Sequence, residues 1–126
     1  MTALQELARQ LRDEDTPIAG HVVDPRGEPQ PADDYSLVME AVREGYLLHY
    51  GESRLLVDYD PDLALLAGDY LYALGLDRLA ALGDTGAVAV LSELIGRCAQ
   101  LHAEGRGDEV EPLWVEADRR IRSESL

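Results

Sequence analysis

The segment from Pro61 to Leu82 constrains the fold of this chain more than any other. Between Leu63 and Leu76 its only polar side chains are Asp69 and two tyrosines. An apolar run of 14 residues is too short to span a bilayer, which indicates a buried helix instead. A helix that is apolar around its whole circumference must be covered on more than one side. We therefore expect a second polypeptide to provide cover that so small a chain cannot supply.

The two ends of this central helix carry clear signals. Asp60 is suited to cap the first turn, and Pro61 suits the first helical position, where its missing N–H is not needed. Asp62 places a negative charge at the positive end of the helix dipole. Gly83 follows where a left-handed residue commonly ends a helix. These signals predict a helix that begins at Pro61 and ends just before Gly83.

Apolar residues at helical spacing predict four further helices and no strand, so the expected fold class is all-α, with about five helices. Thr2 and Gln5 suggest a capping box for the first helix, Asp33 or Asp34 suits the cap of the second, and Asp84 suits the cap of the fourth. The predicted helices are 2–13, 35–50, 61–82, 85–104 and a last one from 108 or 111 to 122. We expect one helical domain over 1–126, made of an N-terminal helix (1–14), a connector (15–32) and a helical core (33–126).

The connector 15–32 is rich in proline, which favours extended chain. The sequence DPRG at 24–27 is typical of a turn. Ile18, Val22 and Val23 are expected either to pin the connector to the rest of the domain or to form a brief extended segment. A second irregular stretch, 51–60, is expected to be a short loop.

The charge of the chain excludes several partners. With 25 acidic and 11 basic residues the formal net charge is -14, which disfavours binding to nucleic acid or to anionic membrane surfaces. We expect no membrane insertion. The polar, acid-containing N-terminus does not resemble a signal or transit peptide, so a cytoplasmic location is expected. On the second predicted helix, Glu40, Arg43 and Glu44 are expected to face solvent.

Two groups of acidic residues invite a metal-site interpretation. Asp33 and Asp34 could begin a diphosphate-binding motif, but position 37 is Leu37, so capping is favoured. A calcium-loop template aligns with an acidic set between the loop and the central helix, but no glycine provides its sharp central turn. The four residues of that set are Asp58, Asp60, Asp62 and Asp69. The sequence predicts no metal site.

No catalytic set is apparent either. The histidines His21, His49 and His102 lack metal-ligand spacing and lie near no nucleophile. Cys98, the single cysteine, falls on an apolar helical face and is expected to be buried and unreactive. Asp69 lies in an apolar surround, so it is expected either to pair with a nearby arginine (Arg54, Arg78 or Arg97) or to lie exposed at the rim, and a catalytic base is the less favoured alternative.

From Leu65 to Gly105 the chain resembles the trans-polyprenyl diphosphate synthase family. The sharpest part is the run Leu66–Leu71 (LAGDYL), followed by a turn at Gly83 and a second helix that ends at Gly105. In that family the two corresponding helices are consecutive and lie at the subunit interface. The resemblance therefore implies a fragment-like version of the polyprenyl synthase helical fold and a partner that covers the central helix.

The chain departs from the family in its catalytic motifs. It has neither of the two DDxxD motifs that bind Mg²⁺ and diphosphate, and the segment 51–54 (GESR) matches the basic motif poorly. The resemblance therefore implies a small, non-catalytic subunit of a two-component synthase of the heptaprenyl or hexaprenyl type. Such a chain is not an enzyme on its own and binds no cofactor, since Mg²⁺ is expected on the catalytic partner.

The resemblance places the partner interface on the third and fourth helices. The expected interface residues are Leu66, Ala67, Gly68, Asp69, Tyr70, Ala73, Leu74, Leu91, Leu94 and Ile95. An alternative is a homodimer that uses the same surface and has no link to prenyl transfer. A third hypothesis is a small enzyme or ligand pocket built on Asp69 and Tyr46.

Overall fold

Five α-helices make up most of the chain that the structure describes, which comprises residues 1–25 and 30–124 of a computed structural model. They are α1 (Ala3–Asp13), α2 (Asp34–Tyr50), α3 (Pro61–Ala81), α4 (Thr85–Ala103) and α5 (Glu111–Glu124). Within those described ranges the only extended pairings are isolated bridges, Thr2 with Pro31 and Val22 with Leu56. The predicted all-α class is confirmed. The turn predicted at 24–27 includes residues 26 and 27, which lie outside the described residues.

The helices begin where their capping residues predict. Thr2 and Gln5 form the capping box, with the Gln5 amide donating to Thr2 Oγ1 at 3.2 Å. Asp33, Asp60 and Asp84 each accept a hydrogen bond from the backbone N–H three residues later, at 2.8, 2.8 and 3.0 Å. Side-chain acceptors at these positions satisfy N–H groups that have no partner inside the helix. Capping is therefore the role of Asp33.

The chain divides into two compact units, Met1–Asp77 and Arg78–Leu126, here called the N-terminal and C-terminal units. The boundary falls inside α3, close to its end at Ala81. Gly83 follows in the turn, and its φ of 75° is the left-handed conformation that the sequence predicts. The expectation of one domain over 1–126 stays a prediction.

The core of the N-terminal unit is built from helices and loops together. Ile18 of the connector is buried in it, as expected, and is followed by a 3-10 turn at Ala19–His21. The connector is then fixed by backbone hydrogen bonds from Val23 to the Leu55 carbonyl (2.8 Å) and from Val57 to the His21 carbonyl (3.0 Å). The core side chains are Leu4, Leu7, Ala8, Leu11, Ile18, Leu37, Ala41, Leu48, Leu55, Leu56, Ala64, Ala67 and Leu71.

Glycines set the close approach of α2 and α3. A Cβ built on Gly45 would lie 2.7 Å from Tyr72 Cδ1 and 2.8 Å from the Gly68 carbonyl oxygen. A Cβ built on Gly75 would lie 2.6 Å from Val42 Cγ2. No side chain fits at such distances, so the two helix backbones approach each other because these positions lack one.

The C-terminal unit packs α4 against α5. Val90, Leu94 and Cys98 are buried on α4, and Trp114 and Ala117 are buried on α5. Cys98 is therefore a buried apolar-type side chain, as predicted. No helix in the described part of the chain combines the length and apolar character needed to cross a membrane.

Candidate functional site

The solvent-facing side of α3 is the candidate site. At 3.6 residues per turn, six exposed positions of α3 within the N-terminal unit fall on one side of the helix. They are Asp62, Leu65, Leu66, Asp69, Ala73 and Asp77, which we call the α3 outer face. Leu65 and Leu66 are each 56% exposed. The opposite side of the helix, including Ala67 and Leu71, is fully buried in the core of the N-terminal unit.

Burial divides the ten expected interface residues into three groups. Leu66, Asp69 and Ala73 lie on the outer face. Tyr70, Leu74 and Ile95 are half-buried, and the first two pack against the N-terminal core. Ala67, Gly68, Leu91 and Leu94 are buried within the chain itself, where they offer no surface to a partner. The sequence analysis did not separate these groups because it treated α3 as apolar all round, although Asp62, Asp69 and Asp77 mark the exposed side.

Asp69 lies exposed, which is one of the two structural roles that the sequence left open. Its side chain is 75% exposed, and its partner is His49, with Nε2 lying 3.3 Å from Asp69 Oδ1, instead of an arginine. The same Nε2 lies 3.3 Å from the Leu65 carbonyl oxygen, and the ring packs edge-on against Tyr72 at 5.2 Å. His49 therefore fastens the end of α2 to α3 beside the outer face.

A buried ionic cluster in the N-terminal unit was missed by the sequence analysis. Glu44 was expected to face solvent, yet its side chain is fully buried. Its carboxylate accepts hydrogen bonds from Ser53 Oγ at 2.7 Å, from Arg54 Nε at 2.7 Å and from the Arg54 amide at 3.1 Å. A buried carboxylate is tolerated when it is paired and hydrogen-bonded in this way. The expectation for Glu44 was wrong because helical spacing does not show which loop covers a helix.

The cluster organises the loop between α2 and α3. Ser53 Oγ also accepts hydrogen bonds from the amides of Leu55 (3.1 Å) and Leu56 (2.9 Å), and the Ser53 amide donates to the Tyr59 hydroxyl at 3.2 Å. This arrangement holds both leucines in the core. The signal in the sequence is the apolar run after Arg54, because a loop that buries two leucines must satisfy its backbone with polar partners.

Glu40 is the second carboxylate beside Arg54, and it too was expected in solvent. Its side chain is only 13% exposed and lies 3.1 Å from Arg54 Nη1. Burial raises the pKa of Glu40, the positive charge of Arg54 opposes that shift, and the nearby Glu44 carboxylate adds to it. Arg54 thus neutralises two buried acids, and Glu44 holds the closer contact.

We expect the Glu40→Gln variant to change how stability depends on pH. Because the folded state raises the pKa of Glu40 above its ordinary 4.5, the folded chain holds that proton more tightly than the unfolded chain. In the wild type, this group lowers the free energy of unfolding as pH rises from about 4.5 through the raised pKa. The variant should lack that contribution and be at least as stable as wild type near neutral pH.

Urea unfolding at several pH values across this range measures the free energy of unfolding, with Glu52→Gln in the exposed loop as the control. A variant less stable than wild type at neutral pH would contradict the prediction.

Elsewhere the described residues form neither a metal-ligand cluster nor a pocket of the usual ligand size. Within the described residues no three histidine, cysteine or acidic side chains are grouped as metal ligands. The C-terminal unit has a groove of about 130 Å³ between α4 and α5, well below the roughly 300 Å³ at which ligand pockets begin. Tyr46 is buried, with the Arg43 guanidinium 5.4 Å from its ring centre, whereas Asp69 faces solvent. The outer face of α3 therefore remains the candidate site.

No protein-family model, no curated protein and no solved structure matches this chain. The fold and the outer face define an all-α protein in which one helix exposes paired leucines and three aspartates. The resemblance to trans-polyprenyl diphosphate synthases stays a prediction carried by the run Leu66–Leu71.

Proposed function

We propose that this chain is a non-catalytic helical subunit that binds a protein partner through the α3 outer face. The observation that carries the proposal is the exposure of Leu65 and Leu66, adjacent on one helix whose opposite side is fully buried. Exposed apolar side chains grouped on a surface are typical of protein-binding sites. Small Ala73 on the same face leaves room for a partner helix to approach.

Burying the two leucines does not by itself supply enough binding free energy for a micromolar complex. A leucine contributes about 1.5–3 kcal/mol when fully buried, so covering two half-exposed ones contributes about 2–3 kcal/mol. A micromolar complex requires about 8 kcal/mol. The partner must therefore add contacts around the leucines, and half-buried Tyr70 at the edge of the face is suited to an amphipathic contact.

The candidate partner is the catalytic chain of a polyprenyl diphosphate synthase that bears DDxxD motifs. What supports it is that the outer face includes Leu66 and Asp69, members of the LAGDYL run that carries the resemblance. In this proposal the partner holds Mg²⁺ and performs prenyl transfer, and the present chain supports its activity or the length of its product. Enzyme assays of the co-expressed pair, with and without this chain, test this role. Unchanged activity together with unchanged product length would exclude it.

The Leu66→Arg variant should weaken the complex at least ten-fold, because an arginine would have to be desolvated at the centre of an apolar contact. Co-purification and titration with the synthase chain measure the loss. Val115→Arg is the matched control, since Val115 is 68% exposed but belongs to α5. Both variants should keep the helical circular dichroism of the wild type. Equal binding by Leu66→Arg and wild type would refute the outer face as the interface.

A further inference from the structure

We infer that the α3 outer face binds a basic helix of a different protein and does not pair with a second copy of this chain. The inference rests on the proposed function and specifies the chemistry of its partner. It comes from the charges on the same face as the leucines: Asp62, Asp69 and Asp77 are all exposed, and no basic residue belongs to the face. Their intervals of seven and eight residues correspond to about two helical turns each.

This spacing disfavours self-association through the face. In an antiparallel pair of α3 helices centred on Asp69, each Asp69 would meet its copy and each Asp62 would approach an Asp77. In a parallel pair, every aspartate would face itself. Like charges at neighbouring positions of packed helices are destabilising. The formal net charge of -14 on each chain adds a long-range repulsion between copies.

The same spacing defines a complementary partner. Lysine or arginine side chains placed two turns apart on a facing helix can each reach one aspartate, while apolar residues between them cover Leu65 and Leu66. Asp69 retains this capacity although His49 lies beside it, because its side chain is 75% exposed. Complementary charges also speed association and set the register of two helices. The partner surface is thus an amphipathic helix with cations two turns apart.

Synthetic helical peptides test the inference with the full chain. One peptide carries three arginines at the spacing of the aspartates with leucines between them, and the second has the same composition with its arginines moved to the opposite side. Two triple variants of the chain lose the same net charge. Asp62→Asn/Asp69→Asn/Asp77→Asn alters the outer face, and Glu52→Gln/Glu93→Gln/Asp108→Asn alters exposed acids elsewhere.

The first peptide should bind the wild type more tightly than the second. The outer-face triple variant should bind it about ten-fold more weakly at low salt, because three exposed ion pairs are lost at about 0.2–1 kcal/mol each. The control triple variant should change the affinity less than two-fold. The difference between the variants should shrink at high salt, since exposed charges are screened. Circular dichroism checks that both variants stay folded.

Three outcomes would overturn the inference. Equal losses of affinity for the first peptide in the two triple variants would show that only net charge attracts it. Equal affinity for the two peptides would show that the register of the arginines is irrelevant. A wild-type dimer in sedimentation experiments that Leu66→Arg abolishes would show that the face pairs with itself. If Leu66→Arg disrupts the synthase complex while the outer-face triple variant does not, this inference fails and the proposed function stands. If neither variant weakens the synthase complex, both this inference and the proposed function fail.

Discussion

Replacing Glu44 with alanine is expected to destabilise the N-terminal unit by about 3–5 kcal/mol, the range for removing one partner of a buried ion pair. The substitution leaves Arg54 without its closest carboxylate and removes the acceptor of both the Ser53 hydroxyl and the Arg54 amide. Polar groups buried without partners are costly, and here the Ser53 hydroxyl and the Arg54 amide lose theirs together, while the Arg54 guanidinium keeps only Glu40. The loop that carries Leu55 and Leu56 into the core should loosen first.

Chemical unfolding measures the loss of stability, and amide hydrogen exchange at Leu55 and Leu56 localises it. Glu52→Ala removes an acid from an exposed position of the same loop and should change stability by less than about 0.5 kcal/mol. The triple variant Glu40→Gln/Glu44→Leu/Arg54→Met should recover part of the loss, because it leaves no unpaired charge in the cluster. A cost below about 1 kcal/mol for Glu44→Ala would contradict the interpretation that the buried pair organises the loop.

The Gly45→Ala variant is expected to destabilise the N-terminal unit by about 1–3 kcal/mol, the usual cost of overpacking. The new methyl group would lie 2.7 Å from Tyr72 Cδ1 and 2.8 Å from the Gly68 carbonyl oxygen. The Tyr72 ring can rotate, but the carbonyl belongs to the backbone of α3, so the two helices must separate. This cost should exceed the gain of about 1 kcal/mol that alanine brings over glycine in a helix interior.

Gly96→Ala on α4 provides the matched control. A Cβ at Gly96 meets no atom within 4 Å, so only the helix-propensity gain applies there. Thermal unfolding should show Gly96→Ala more stable than wild type and Gly45→Ala less stable. If the two variants shift the unfolding temperature in the same direction, the close approach of α2 and α3 at Gly45 is contradicted.

The candidate site shows where sequence reasoning reaches its limit. The sequence identified α3 as the segment with surplus apolar surface, and Leu65 and Leu66 are indeed left exposed. It did not predict that Ala67 is buried or that His49 lies beside Asp69. The helical period places Asp62, Asp69 and Asp77 on one side of α3, and the interpretation of the helix as apolar all round overlooked that this side faces solvent.

The ionic cluster was missed for a related reason. Glu40 and Glu44 are one turn apart on α2, and charged residues on a helix usually face solvent. Their partner, Arg54, lies in an irregular loop that periodicity does not describe. Only the folded arrangement brings the Arg54 guanidinium within 2.7 Å of Glu44 Oε1.

The sequence by itself determined the all-α class, the positions of the helices and their caps, such as Asp33, Asp84 and Gly83. These features depend on interactions between residues at most a few positions apart, whose geometry a short segment already fixes. The tertiary structure alone decided that Glu44 is buried, that Gly45 lies against α3 and that Leu66 remains exposed. Those outcomes depend on contacts between segments distant in the sequence, where the burial of one surface decides which others stay in water.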